Sequence, residues 1–231
     1  MPKALIVMPT FAGVQPRPLQ GFLQIAYVAG RTCPEWKFGF QVLEGMSLVR
    51  AMTQAAETVL AQDFDCLITF DDDCFPPYDV IPRLLAHRAA GHTFVAGAGV
   101  MKGFPHTTTI GKVFPEGYTL VAKPEAAPFL AGHEWLDDID SLAPLQAVDF
   151  CGVPVALIGR EAFTRCERPW FALHGPDGGQ VTHDVFFCRR LHAAGIPVLV
   201  DTTIRCGHLA APPVITFENR GQARALVEGA A

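Results

Sequence analysis

The chain has 231 residues, half of them hydrophobic and 18% charged, with a net charge of −5 and a pI near 5.9. That length favours one domain able to bury a substantial core. The acidic balance excludes a broad basic surface for nucleic acid, and no apolar run reaches the roughly 18 residues of a membrane span.

Taken in order, Lys3–Met8 (KALIVM) is a continuous apolar run stopped by Pro9-Thr10, which predicts a buried parallel strand. Residues 36–43 (WKFGFQVL) predict a second strand. Residues 47–62 predict a helix, with Ser47 as N-cap and Leu48, Met52, Ala55, Val59 and Leu60 near helical spacing. Residues 65–70 (DCLITF) predict a third strand. Asp79 opens a helix carrying Ile81, Leu84 and Leu85, and residues 93–97 (TFVAG) predict a fourth strand. This alternation implies an α/β fold with an open, mainly parallel sheet and flanking helices. Residues 104–145 are rich in Pro, Gly and His, and short antiparallel strands with a mobile loop around 123–140 are expected there. Residues 147–163 read as strand, turn and short helix. Residues 182–195 read as a helix capped by Thr182 with Gly195 as its C′ residue, 197–201 as a strand, and 220–231 as a tail.

Seven cysteines are scattered without a CxxC pair, which fits reduced thiols rather than a zinc ribbon or a disulfide framework. The start, MPKALIVMPTFAG, does not read as a signal peptide, and a cytoplasmic location is expected. His174, His183 and His192 have no convincing ligand spacing. Trp170 and Phe171 read as core.

The stretch CLITFDDDCFPP places Asp71, Asp72 and Asp73 at the end of a buried strand. Adjacent carboxylates repel, and burial sharpens that repulsion. A divalent cation relieves it, since Mg²⁺ and Mn²⁺ favour oxygen ligands shared with substrate phosphates. In an extended segment Asp71 and Asp73 would point to one side, where they could share one metal–diphosphate site as metal ligands, and Asp72 to the other. Ligands of open α/β sheets sit at the carboxyl ends of strands, so Pro9-Thr10 and Asp71–Asp73 should share one crevice. A solvated acidic turn is the plainer alternative. Lys102 stands where it meets either a phosphate or solvent.

The segment LITFDDDCFPPYDVIPRLL resembles the DxD region of GT-A glycosyltransferases, especially the family 2-like enzymes. IVMPTF, SLVRAMTQAAE, DFCGVPVALIGREAFTRCERPWF and THDVFFCRRLHAAGIPVLVDTTIRCGH agree with that family in order, over roughly residues 3–208. The resemblance implies a single GT-A domain. Residues 1–100 would be its nucleotide-sugar half and 101–215 an acceptor half with a small antiparallel sheet. It implies a nucleotide-diphospho-sugar donor and Mn²⁺ or Mg²⁺. Pro9 and Thr10 would then line base and ribose, and Arg50 would lie near the nucleotide. Asp71 or Asp72 would touch the ribose, Asp73 would ligate the metal, and His208 would be a second ligand. Asp184 stands where inverting members carry the catalytic base, although an Asp in a first helical turn also serves the helix dipole. Many relatives read Glu-Asp where this chain reads His183-Asp184.

A nucleotidyltransferase shares such a sheet and acidic pair, but MPTFAGVQPRP is a poor phosphate cradle, with only Gly13 and Arg17. A nucleotide-sugar-binding module without turnover is a third reading. The acceptor stays open among saccharides, small molecules, proteins and modified nucleic acid, the last through a patch of Arg189, Arg190 and Arg205.

Overall fold

A computed structural model describes residues 1–103, 106–113, 119–121, 129–131, 133–175, 181–209 and 216–218. Its strands are β1 (Lys3–Thr10), β2 (Lys37–Glu44), β3 (Cys66–Phe70), β4 (Cys74–Phe75), β5 (Phe94–Ala98), β6 (Ile110–Val113), β7 (Thr119–Val121) and β8 (Phe129–Ala131). They continue with β9 (His133–Trp135), β10 (Leu145–Val148), β11 (Phe150–Cys151), β12 (Val155–Gly159), β13 (Val198–Arg205) and β14 (Gly207–His208). The helices are α1 (Pro16–Thr32), α2 (Leu48–Ala61), α3 (Val80–Ala89), α4 (Arg160–Arg165) and α5 (His183–Ala193).

The central sheet has the order β10-β13-β5-β12-β3-β1-β2. Strands β1, β2 and β3 are parallel to one another, as are β5 and β13, while β12 runs antiparallel between β3 and β5. Beside this mainly parallel sheet stand small antiparallel sheets, β11-β6-β9, β14-β4 and β7-β8. This is the mixed α/β architecture that the sequence implies.

Alternation along β1 builds two cores. Leu5 and Val7 face a cluster with Ala51, Met52, Ala55 and Val59 of α2 and the apolar side of α5. Ala4, Ile6 and Met8 face the opposite cluster, with Ile25 of α1 and Ile81 and Leu84 of α3. Both faces of β3 are therefore buried, and burying such a side chain contributes about 1.5–3 kcal/mol. Trp170 and Phe171 are core residues, and all seven cysteines are buried free thiols.

Ser47 caps α2 by accepting from Arg50 N, and Gly195 follows α5 at φ +66°, the left-handed position expected of it. Thr182 is the N-cap of α5 but makes no side-chain capping bond. The sequence reading places no element over residues 11–35, where the structure has the 17-residue α1. Prolines at its first turn are tolerated because those N–H groups have no intrahelical partner. The expected loop around 123–140 includes β9 and a 3₁₀ turn at Ile139–Ser141, while residues 122–128 and 132 lie outside the described residues. The expected tail at 220–231 lies outside them as well.

Candidate active site

The parallel strands β1, β2 and β3 end together, and their ends form a cavity of about 1050 Å³. Pro9, Thr10, Asp71, Asp72, Asp73, Lys102 and His208 line it. Arg50 is exposed and is not among the lining residues, whereas Met46, Ser47 and Leu48, just ahead of it, are. Asp184 does not line the cavity either, yet its charge is felt at Asp71.

The three aspartates do not continue β3 as an extended segment. Cys74 N donates to Asp71 O at 3.3 Å, so residues 71–74 form a turn, and all three aspartates reach one cavity. Simple alternation thus fails here, because pleating needs a neighbouring ladder and β3 stops at Phe70. The turn is held from several sides. Asp71 N donates to Pro154 O at 3.0 Å. Thr10 Oγ1 donates to Asp72 Oδ2 at 2.5 Å, which joins the ends of β1 and β3. Leu209 N donates to Asp73 O at 2.7 Å, extending the β4–β14 pairing.

Electrostatics separate the aspartates. Burial pushes the Asp71 carboxyl well up, and the charges of Asp73, Asp184 and Asp72 push it further against the pull of Lys102. Burial acts against Asp73 too, but hydrogen bonds from His208 and Lys102 outweigh it and bring its pKa to about 2. Lys102 pairs with Asp73 Oδ2, while His208 Nε2 lies 3.1 Å from Asp73 Oδ1. The other His208 nitrogen, Nδ1, lies 2.8 Å from Val100 O.

The donor set fits a divalent cation. Among the described residues, Asp73, Cys74 and His208 form a metal-competent group whose ligand atoms all lie within 4.8 Å of one another. Cys74 is the member that sequence reasoning missed. A lone cysteine has no spacing signal, and His208 comes 135 residues after Asp73. Only the pairing of β4 with β14 sets His208 opposite Cys74.

Asp184 lies in the first turn of α5 and its Oδ1 accepts from Val185 N at 2.8 Å. Its other oxygen has no hydrogen-bond partner among the described residues. Among the described residues, the neighbouring His183 Nε2 is buried without a hydrogen-bond partner, as are the hydroxyls of Thr107 and Thr109. Of the expected basic patch, Arg190 pairs with Glu167 and Arg205 with Asp140.

The turn after β1 is a weak phosphate cradle. Gly13 has φ +89°, but α1 then starts at Pro16 with Pro18 in its first turn, which removes N–H donors. The Arg17 guanidinium lies over the Phe75 ring, 5.3 Å from its centroid.

No protein-family model and no curated protein matches the chain. Its fold is similar to that of A197 from STIV, with a TM-score of 0.58 and 15% identity over 94% of this chain and 91% of that one. Weaker likenesses reach a Bacillus anthracis protein described as a glucose-1-phosphate thymidylyltransferase and solved with sucrose (TM-score 0.44, 8% identity, 97% and 94% covered). Another is a Drosophila galactosyltransferase variant solved with manganese, UDP-Gal and xylobiose (TM-score 0.40, 13% identity, 97% and 74% covered). At such identities the likeness concerns the fold alone. No helix among the described residues is long and apolar enough to cross a membrane. The mixed, mainly parallel sheet with flanking helices and small antiparallel sheets is the α/β architecture that the sequence implies.

Proposed function

We propose that the protein is a metal-dependent glycosyltransferase that moves a sugar from a nucleotide-diphospho-sugar to an acceptor hydroxyl, with inversion. The observation that carries this reading is the crowding of carboxylates at the strand-end cavity. Asp71, Asp72 and Asp73 line it, and the charge of Asp184 is felt at Asp71. Such like-charge crowding opposes stability and is relieved by a cation, to which a substrate diphosphate can also bind.

Each residue has a role in this reading. Thr10 and Asp72, already hydrogen-bonded, bind the ribose, and Pro9 lines the base. Asp73 and His208 would hold the cation, with Asp71 beside them, and Lys102, which pairs with Asp73, would be free to meet a phosphate oxygen. When bound, the cation offsets charge on the departing diphosphate. Asp184 takes the acceptor hydroxyl's proton through the oxygen not committed to Val185 N. Arg50 would reach the nucleotide only if its exposed side chain folds inward over Ser47. The poor cradle at Pro16 and Pro18 supports sugar transfer over transfer of a nucleotidyl group from a triphosphate.

The test is thermal stability with a panel of nucleoside diphosphates, nucleotide-sugars and triphosphates, each with and without Mn²⁺. A ligand at about 100 times its dissociation constant adds about 2.7 kcal/mol. A metal-dependent shift with one diphosphate or its sugar, followed by donor turnover, is the expected result. A shift with triphosphates alone would move the assignment to a nucleotidyltransferase. Binding without any turnover would leave a nucleotide-sugar-binding module.

A further inference from the structure

Four observations meet at Cys74. First, β4 and β14 are antiparallel with His208 opposite Cys74, so their side chains share one face of that ribbon. Second, Cys74 Sγ lies 3.7 Å from Asp73 Oδ1, and that oxygen lies 3.1 Å from His208 Nε2. A tetrahedral cation with bonds of about 2.0 Å to N and O and 2.3 Å to S has ligand–ligand edges of about 3.3 and 3.5 Å. These two distances are close to such edges, and the third, between the sulfur and the imidazole, lies within 4.8 Å and shortens on binding.

Third, the imidazole is oriented for ligation. Nδ1 faces the Val100 carbonyl, which can only accept, so Nδ1 carries a proton. With Nδ1 so engaged, Nε2 is the nitrogen that faces the Asp73 carboxylate. That contact becomes favourable with a second ring proton or with a cation between the two groups, and a carbonyl behind a histidine is a common support for a metal ligand. Fourth, Asp73 divides its oxygens. Lys102 pairs with Oδ2, and Oδ1 is the one facing both His208 and Cys74.

We infer that Asp73, Cys74 and His208 form a three-ligand N, O, S site for a borderline-soft divalent cation of the Zn²⁺ or Co²⁺ type, with the Cys74 thiolate as third protein ligand. This deepens the glycosyltransferase reading and rests on it for the cation's use, since Asp73 and His208 also line the larger cavity. Oxygen-only sites suit Mg²⁺ and Mn²⁺, whereas a thiolate with an imidazole selects metals later in the affinity series. Binding expels the thiol proton to solvent, and the cation's charge compensates for burying the thiolate. Cys74 also lines a smaller cavity of about 320 Å³ with Asp71, Phe70 and Phe75, so the ion would sit in the wall between the two cavities.

The test uses the full chain, reduced without thiols and stripped of metal, and titrated with Co²⁺ alone. The expected result is one equivalent of bound Co²⁺ with a sulfur-to-cobalt charge-transfer band in the near ultraviolet. Zn²⁺ at one equivalent should bleach it, and a large excess of Mg²⁺ should not. Cys74→Ser should lose the band while Cys206→Ser, altering a buried neighbouring thiol, keeps it. Co²⁺ bound without the band, or a band that survives Cys74→Ser, overturns the assignment. X-ray absorption at the zinc edge of the wild-type chain reads the same point without a substitution. One sulfur at about 2.3 Å supports the site and a shell of only N and O overturns it. These readouts need no nucleotide. A thiolate band with no nucleotide-sugar binding keeps the site and removes the transferase, whereas Mn²⁺-dependent nucleotide binding without sulfur ligation does the reverse.

Discussion

Carboxylates at two places in this molecule meet opposite surroundings. Asp201 on β13 is nearly buried, with His87 Nε2 2.9 Å from one oxygen, Thr203 N donating to the other at 2.9 Å, and Arg83 close by. Burial alone would push its carboxyl up, but these donors outweigh burial and hold it below the usual range. Glu161 on α4 is treated alike by a bidentate Arg88 and by Thr93. Asp71 sits at the end of a core strand, where burial first and then the charges of Asp73, Asp184 and Asp72 push its carboxyl up, with only Lys102 pulling the other way. The first kind of carboxylate is satisfied by the fold. The second is left unsatisfied by it, which is the mark of a site that awaits a ligand.

The largest effect expected from breaking this contrast lies at the base. Asp184→Asn should lower transfer by roughly 10²- to 10⁴-fold while donor binding stays, read as turnover beside nucleotide titration. Unchanged turnover would assign Asp184 to α5 alone. Next, Asp73→Ala should abolish the metal-dependent nucleotide shift of about 2.7 kcal/mol and leave the fold intact by circular dichroism.

The satisfied carboxylates should respond in stability rather than activity. Asp201→Ala should cost about 2–3 kcal/mol in chemical denaturation, because His87 and Arg83 lose a charged partner. Its pH dependence follows from the lowered folded pKa. The unfolded chain binds the proton more readily, so the contribution is full above the ordinary carboxylate pKa and is lost as pH falls through the lower folded value. The variant should therefore show a shallower acid limb than the wild type. The smallest effect has the opposite sign. Asp71→Asn removes one of the crowded charges and should raise stability by roughly 0.5–1 kcal/mol while impairing ligand binding, a trade common at functional sites. A destabilised Asp71→Asn would erase the distinction between the two kinds of carboxylate.

Much of the fold is legible in short apolar runs. KALIVM and CLITF are buried on both faces, as strands in the middle of a sheet covered by helices on both sides are. The helix α1 is not legible in the same way. Pro16, Pro18 and Gly21 argue against a helix locally, its buried residues are few, and Leu19, Leu23 and Tyr27 form an exposed stripe. The antiparallel entry of β12 between β3 and β5 is a matter of topology, which periodicity does not encode.

The site divides along the same line. The sequence by itself determines that β1 and β3 are core strands, that Thr10 stands at the end of the first and three aspartates follow the second, and that Asp184 lies in the first turn of a helix. Local rules suffice, because strand burial and helix starts depend on near neighbours in the chain. The tertiary structure alone decides that residues 71–74 turn, so that all three aspartates enter one cavity. It also decides that the β4–β14 pair sets His208 beside Asp73 and Cys74, and that Arg50 stays outside. Contacts between residues so far apart in the chain depend on strand pairing, and no short-range pattern carries that information.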